Sequence, residues 1–258
     1  RAARLARQIE LGLVPEGTAL PARNDWVRPW ADHSPDERRL FTRLQAAYAA
    51  MLEHADLHIG RLTRFLATAA LDDNTIVLVL SDNGASQEGG ATGVMDEMKW
   101  FNGIPENIDH AVERLDDIGG PNSHSNIPWG WAQVGNTPLR WYKQNTHGGG
   151  VRDPLVVHWP GRLAGAGETR TQFCHAIDVA PTILDALGIV APETVGGVPQ
   201  TPMHGTSFAP TFQSADVKLA RGAQYFEMGG HRGLYMHGWK AVTRHTSGVP
   251  YDDDKWEL

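Results

Sequence analysis

The chain has one cysteine, Cys174, in 258 residues, which excludes an internal disulfide framework. A lone cysteine fits a reducing compartment without opposing an oxidising one, so localisation stays open. No stretch approaches the roughly 20 apolar residues that a membrane span needs. Positive charge is short: 23 Lys and Arg stand against 30 Asp and Glu, a formal net charge of -7, and the arginines are scattered. That leaves no basic footprint for a phosphate backbone and argues against a nucleic-acid partner. Repeats and low-complexity tracts are also missing. What remains is a chain of ordinary globular composition, long enough to bury a sizeable core as one large or two modest domains. Histidine and tryptophan are the abundant exceptions, at 12 and 9, and both serve as readily in a polar pocket as in a core. Position 1 is Arg, the opening residues resemble neither a signal peptide nor the start of a domain, and the final Asp-Lys-Trp-Glu-Leu stops in mid-pattern. Both ends therefore read as cuts through a longer protein.

The clearest helical period runs from Ser34 to Leu66, with apolar residues at Leu40, Leu44, Tyr48, Met51, Ala55, Ile59, Leu62 and Leu66. Steps of three and four place one face against a core. Ser34, Pro35 and Glu37 supply an N-cap, a first-turn proline and a capping box. After a turn at Asp72 to Asn74, the run Thr75 to Leu80 is apolar on both faces, as a central strand of a parallel sheet would be. Gly84 to Asn136 has little periodicity and reads as a long loop covering a site. Pro154 to Trp159 predicts a second buried strand, Asp178 to Leu187 a helix capped by Asp178 and ended by Gly188, and 189–205 a loop. From Ala223 the pattern changes to short strands with a hairpin turn at His237-Gly238, which predicts a small antiparallel subdomain over 223–258 beside a main unit over 1–222.

The predicted strand ends in Ser-Asp-Asn-Gly. Ligands in such sheets sit beyond the carboxyl ends of strands, so Asp82 and Asn83 are candidate oxygen donors for Ca²⁺ or Mg²⁺, though Asp-Asn-Gly is also ordinary turn chemistry. Lys143 and His147, beside Gly148 to Gly150, could present a cation and a hydrogen-bond donor to an anion; the alternative is a solvated surface loop. His54 and His58 have the i, i+4 spacing of a metal pair but no third ligand of a known zinc pattern. Cys174 reads as a buried structural thiol, and Asp252 to Asp254 as a solvated acidic turn. Trp100, Trp129 and Trp131 could line a pocket or pack beneath the loop.

The order of these pieces carries more than any one of them. Asp73 to Ser86, Gly135 to Lys143, His147, Gly149 to Pro154 and Val157 to Pro160 closely resemble the type I sulfatases, bacterial arylsulfatases above all, and Ile177 to Leu184 and Gln224 to Met228 continue the match. The resemblance covers essentially the whole chain. It implies an alkaline-phosphatase-like α/β fold, a central sheet flanked by helices, and hydrolysis of small-molecule or glycan sulfate esters. In that family a formylglycine made from Cys or Ser in Cys/Ser-x-Pro-x-Arg attacks sulfur while a divalent cation, usually Ca²⁺, polarises the sulfate oxygens. By the resemblance Asp82 and Asn83 match two metal ligands, Lys143 the lysine on the sulfate, and His147 a supporting residue; Gly148 departs from the charged residue many relatives carry there. No proline here has Cys or Ser two residues before it, so the nucleophile and the remaining metal ligands are expected upstream of Arg1. Phosphonate or phosphodiester hydrolysis, or a non-catalytic binding role, are the competing readings. The oligomeric state leaves no sequence trace.

Overall fold

The computed structural model describes residues 1–258. A short helix, α1 (Ala2–Glu10), precedes the longest element, α2 (Pro35–Thr68). The start of α2 is fixed locally: the Ser34 hydroxyl accepts from the Glu37 amide at 3.1 Å, and the Glu37 carboxylate accepts from the Ser34 amide at 2.8 Å. The capping box is thus complete. The apolar stripe behind it is only half used. Leu40, Phe41 and Leu44 are buried, but Met51 and Leu62 are 59% and 51% exposed. The difference follows from what packs where. The turn after Leu115 reaches the first half of α2, with Arg43 donating to the carbonyls of Leu115 and Ile118, and the core gathered there adds Ile118, Ile127, Ala132 and Tyr142.

Strand β1 (Val77–Leu80) pairs antiparallel with β2 (Leu155–His158), Leu80 opposite Leu155, in a sheet of two strands. The expected parallel neighbours and two buried faces are not what is seen: Leu80 is 45% and Val156 58% exposed. An apolar run states that a strand favours cover on both faces, but not the direction of its partner. The expected loop of residues 84–136 also contains three short helices, α3 (Glu97–Phe101), α4 (Ile108–Glu113) and α5 (Trp129–Gly135). Helices of this length show no period, and of the three only α3 and α4 carry side-chain caps: Asp96 and Asn107 accept from the amides of Met98 and His110, each at 3.0 Å.

One turn of helix, α6 (Gly148–Val151), leads into β2, and α7 (Val179–Leu187) ends at Gly188 with φ 66°, as predicted. Asp178 does not cap α7 with its side chain. It is 2% exposed, accepts from the amides of His175 and Thr206 at 2.9 and 2.7 Å, and pairs with Arg221. Burial alone would raise its carboxyl; the Arg221 hydrogen bond and the two amides outweigh that and hold it below the usual carboxylate range. A small hairpin, β3 (Thr194–Val195) with β4 (Val198–Pro199), interrupts the expected loop at 189–205. The antiparallel sheet of β5 (Ala223–Met228), β6 (His231–Met236), β7 (Trp239–Thr243) and β8 (Trp256–Glu257) starts where the pattern changed, and its β6–β7 turn uses His237 and Gly238 at φ 47° and 92°. Asp254 is not solvated as expected: its side chain is 4% exposed and bonds Arg232 at 2.8 Å and His245 at 3.2 Å. An acidic run in sequence hides which carboxylate turns inward.

Candidate functional site

The strand end carrying Asp82 and Asn83 and the loop carrying Lys143 and His147 are laced together through the backbone. The Gly84 amide donates to the Gly150 carbonyl at 3.2 Å and the Lys143 amide to the Ala85 carbonyl at 3.1 Å. Asn136 is the cross-piece. Its Oδ1 accepts from the Ala85 amide at 3.0 Å, while its Nδ2 donates to the carbonyls of Trp141 and Gly149 at 3.0 and 2.7 Å. Contact this close requires glycine. A Cβ on Gly84 would lie 1.7 Å from the Gly149 oxygen, and one on Gly149 would lie 2.0 Å from the Trp141 oxygen. At Gly149 and Gly150 glycine is therefore a packing requirement as well as a loop signal.

Within this frame Asp82 is exposed and Asn83 half-buried. The Asn83 Nδ2 donates to the Gly84 carbonyl at 2.9 Å, which turns its Oδ1 away as an acceptor. Asp153, two residues before β2, lies close enough to Asp82 to feel its charge: burial first, and then the Asp82 carboxylate, push Asp153 up to about 6. These are hard oxygen donors of the kind Ca²⁺ or Mg²⁺ takes. No group of three or more His, Cys, Asp or Glu converges anywhere in the structure, so Asp82 and Asn83 do not by themselves make up the six to eight oxygens a calcium ion takes.

Lys143 is 30% exposed and ion-paired, not a free surface cation. Its Nζ sits 2.7 and 2.8 Å from the two carboxylate oxygens of Glu88, whose side chain is 6% exposed. Ser86 donates to Glu88 at 2.8 Å, and Asn126 donates to Ser86 at 2.9 Å. Glu88 was not singled out in sequence, because it lies in an aperiodic stretch and no motif contains it.

His147 faces elsewhere. It is 2% exposed, neither ring nitrogen has a hydrogen-bond partner, and the nearest carboxylate, Glu257 on β8, is 3.8 Å from Nε2. Burial first, and then Arg140, push its pKa down to about 4, with Glu257 opposing and Arg244 and Lys240 adding to the fall. It is therefore a neutral imidazole at neutral pH. Beside it, the Arg244 guanidinium lies between two indoles, 3.9 Å from the Trp141 centroid and 4.4 Å from that of Trp26. The structure thus sends Lys143 and His147 to different places, Lys143 onto Glu88 and His147 beside Glu257 on β8.

The other candidates take no part. His54 and His58 meet through their Nε2 atoms at 3.1 Å on an exposed face of α2, with no third ligand. Cys174 is half-buried, and burial followed by the Asp178 charge pushes its thiol up to about 11, which makes it a poor nucleophile. His175-Ala176 follows it, so it does not fit a formylglycine precursor, and no other residue in the chain does.

A carboxylate and an amide at a strand end, backed by a glycine-built loop that carries a lysine, are suited to a tetrahedral oxyanion and its cation. The comparisons agree with that class. The sulfatase family model matches residues 18–189, and a model described as the C-terminal part of N-sulphoglucosamine sulphohydrolase matches residues 139–249. The chain belongs to the sulfatase family. It is 31% identical over 257 residues to an uncharacterized sulfatase of Schizosaccharomyces pombe, covering 99% of this chain and 40% of the yeast protein. It is 28% identical over 207 residues to an arylsulfatase of Klebsiella aerogenes, covering 80% of this chain and 42% of that protein. A solved sulfatase from Pseudoalteromonas superposes with a TM-score of 0.48 at 20% identity, covering 81% of this chain and 33% of that one. The chain spans about two fifths of the length of these curated relatives. No helix is long and apolar enough to cross a membrane.

Proposed function

We propose that this chain supplies part of the active site of a sulfuric ester hydrolase of the arylsulfatase type. The observation that carries the reading is the Asn136 frame, which holds the strand end with Asp82 and Asn83 against the loop with Lys143. In this reading Asp82 and Asn83 give oxygens to a divalent cation, Ca²⁺ or Mg²⁺, that polarises the sulfate. Lys143 contacts the sulfate and neutralises charge developing on its oxygens. Glu88 holds the Lys143 ammonium in place until an anion competes for it. His147, neutral and enclosed, supports the loop and takes no proton from the reaction. The residues for a formylglycine are not in this chain, so the chain by itself is not expected to hydrolyse sulfate esters. The division into a unit over 1–222 and a smaller one over 223–258 is part of the same proposal.

The test uses the protein in which this chain is joined to a nucleophile segment. Lys143→Ala is expected to lower turnover of 4-nitrophenyl sulfate about 100-fold or more with bound calcium unchanged, whereas Asp82→Ala lowers calcium content and turnover together. Unchanged turnover in both variants would overturn the assignment. Faster turnover of 4-nitrophenyl phosphate than of the sulfate would move the protein to the phosphate-ester hydrolases.

A further inference from the structure

A cavity of about 510 Å³ opens between the segment around Trp26 to His33 and the start of α5, and four indoles line it: Trp26, Trp30, Trp129 and Trp131. Its size is that of a small-molecule site, typically about 300–1,000 Å³. The rings are held in place from behind. Trp129 Nε1 donates to the Gln87 carbonyl and Trp131 Nε1 to the Phe41 carbonyl, each at 2.9 Å. Their polar edges are therefore occupied, and what they offer the cavity is aromatic face and C–H edge. Trp30 and Trp131 lie 5.6 Å apart, and Trp26 and Trp129 6.1 Å apart, at tilts of 57° and 49°, so the walls are angled and uncollapsed.

Charge at the rim is one-sided. The only carboxylate lining the cavity, Glu37, is taken by Arg28 at 2.9 and 3.2 Å. Arg23 uses only Nε, donating to the Val27 carbonyl, and Arg1 only Nη1, donating to the Pro21 carbonyl at 3.1 Å. The Arg1 Nε and Nη2 are buried with no partner at all. Unspent guanidinium N–H groups beside indole faces select a flat, weakly polar ring that bears a negative group.

The cavity adjoins the candidate catalytic loop. Ala91 and Thr92 line it, and Ala91 follows Glu88 by three residues, so their Cα atoms are at most about 11 Å apart at 3.8 Å per residue. Gln87, whose carbonyl anchors Trp129, bonds through its side chain to Gln144, next to Lys143.

We propose that this indole-walled cavity holds the ring portion of the sulfate ester, its guanidinium rim reading a second anionic group or the ester itself. The proposal rests on the sulfatase reading for its substrate class. Aryl and pyranose rings share the required apolar face, and the test separates them. Tryptophan fluorescence of the chain is titrated with phenyl sulfate, glucose 6-sulfate, phenol, glucose and sodium sulfate. A saturable change is expected with at least one ring sulfate, about tenfold tighter than with its neutral ring or with inorganic sulfate. A response to phenyl sulfate assigns an aryl ring, and one to glucose 6-sulfate a sugar ring.

Trp30→Ala, at a residue 47% exposed, and Arg23→Gln, also at an exposed position, are each expected to weaken binding at least fivefold with the melting temperature unchanged. Trp30→Phe is expected to restore most of the Trp30→Ala loss. No saturable response to either ring sulfate, inorganic sulfate binding as tightly as both, or unaltered binding in both Arg23→Gln and Trp30→Ala overturns the proposal. Hydrolysis lost in Lys143→Ala with cavity binding unaltered in the Trp30 and Arg23 variants would remove the cavity and keep the enzyme reading. The reverse pattern would keep the cavity and remove Lys143 from the chemistry.

Discussion

Lys143 and His147 stand four residues apart on one loop, and the fold treats their charges in opposite ways. Lys143 meets a buried carboxylate that Ser86 holds in place, Ser86 itself accepting from Asn126. His147 is sealed among cations and indoles with nothing to bond, so it sheds its proton. Short spacing beside a glycine run looked like one anion site. What it encodes is a turn tight enough to send two polar side chains four residues apart to different sides, one toward the 84–88 segment and the other toward the C-terminal sheet. Position on a loop therefore says less about chemistry than the element each side chain packs against.

The comparison breaks most completely if the shared frame is removed. Gly84→Ala drives a methyl into the Gly149 carbonyl and is expected to cost about 4 kcal/mol or more, read as loss of the urea unfolding transition at neutral pH. Asn136→Ala spares the backbone path but strands the Ala85 amide and two carbonyls; about 3 kcal/mol is expected in the same assay. The His147 side is then tested alone by acid. Its folded pKa of about 4 lies below its ordinary 6.5, so the unfolded chain binds the proton first. The stability it contributes is present above pH 6.5 and lost as pH falls toward 4, by a few kcal/mol at most. His147→Gln should flatten the urea midpoint between pH 7 and 4.5 relative to the parent chain.

The Lys143 side answers to Glu88→Gln, expected to cost about 1–2 kcal/mol because Lys143 is 30% exposed and water can take over part of its charge. Adding Lys143→Met should return much of that loss in a double-mutant cycle. Smallest of all is His54→Ala, expected within about 0.5 kcal/mol because the pair with His58 is exposed. A larger effect would mean that the two imidazoles do more than touch.

Much of the fold was legible where the signal is local. The Ser34 capping box, Gly188 at the end of α7 and the His237-Gly238 turn each depend on a few adjacent residues, and each is found where the sequence put it. The misses share a different cause. Strand direction at β1, the bare distal half of α2 and the burial of Asp254 all depend on which distant segment arrives, and hydrophobic pattern does not name it. The candidate site shows the same split. Asp82, Asn83, Lys143 and His147 came from an ordered set of motifs, whereas Glu88, Asp153 and Arg244 are defined by partners 55, 71 and 218 residues away.

That last separation has a kinetic meaning. Arg244 closes on Trp26 across 218 residues, and a ribosome adds about 5–20 residues per second, so the indole waits roughly 10–40 s for the guanidinium that covers it. During that interval one wall of the tryptophan cavity lacks its clasp, and the newborn chain shows a sticky aromatic surface. Arg244 directly follows β7, so a ribosome stalled before it would leave the Trp26 face without its guanidinium.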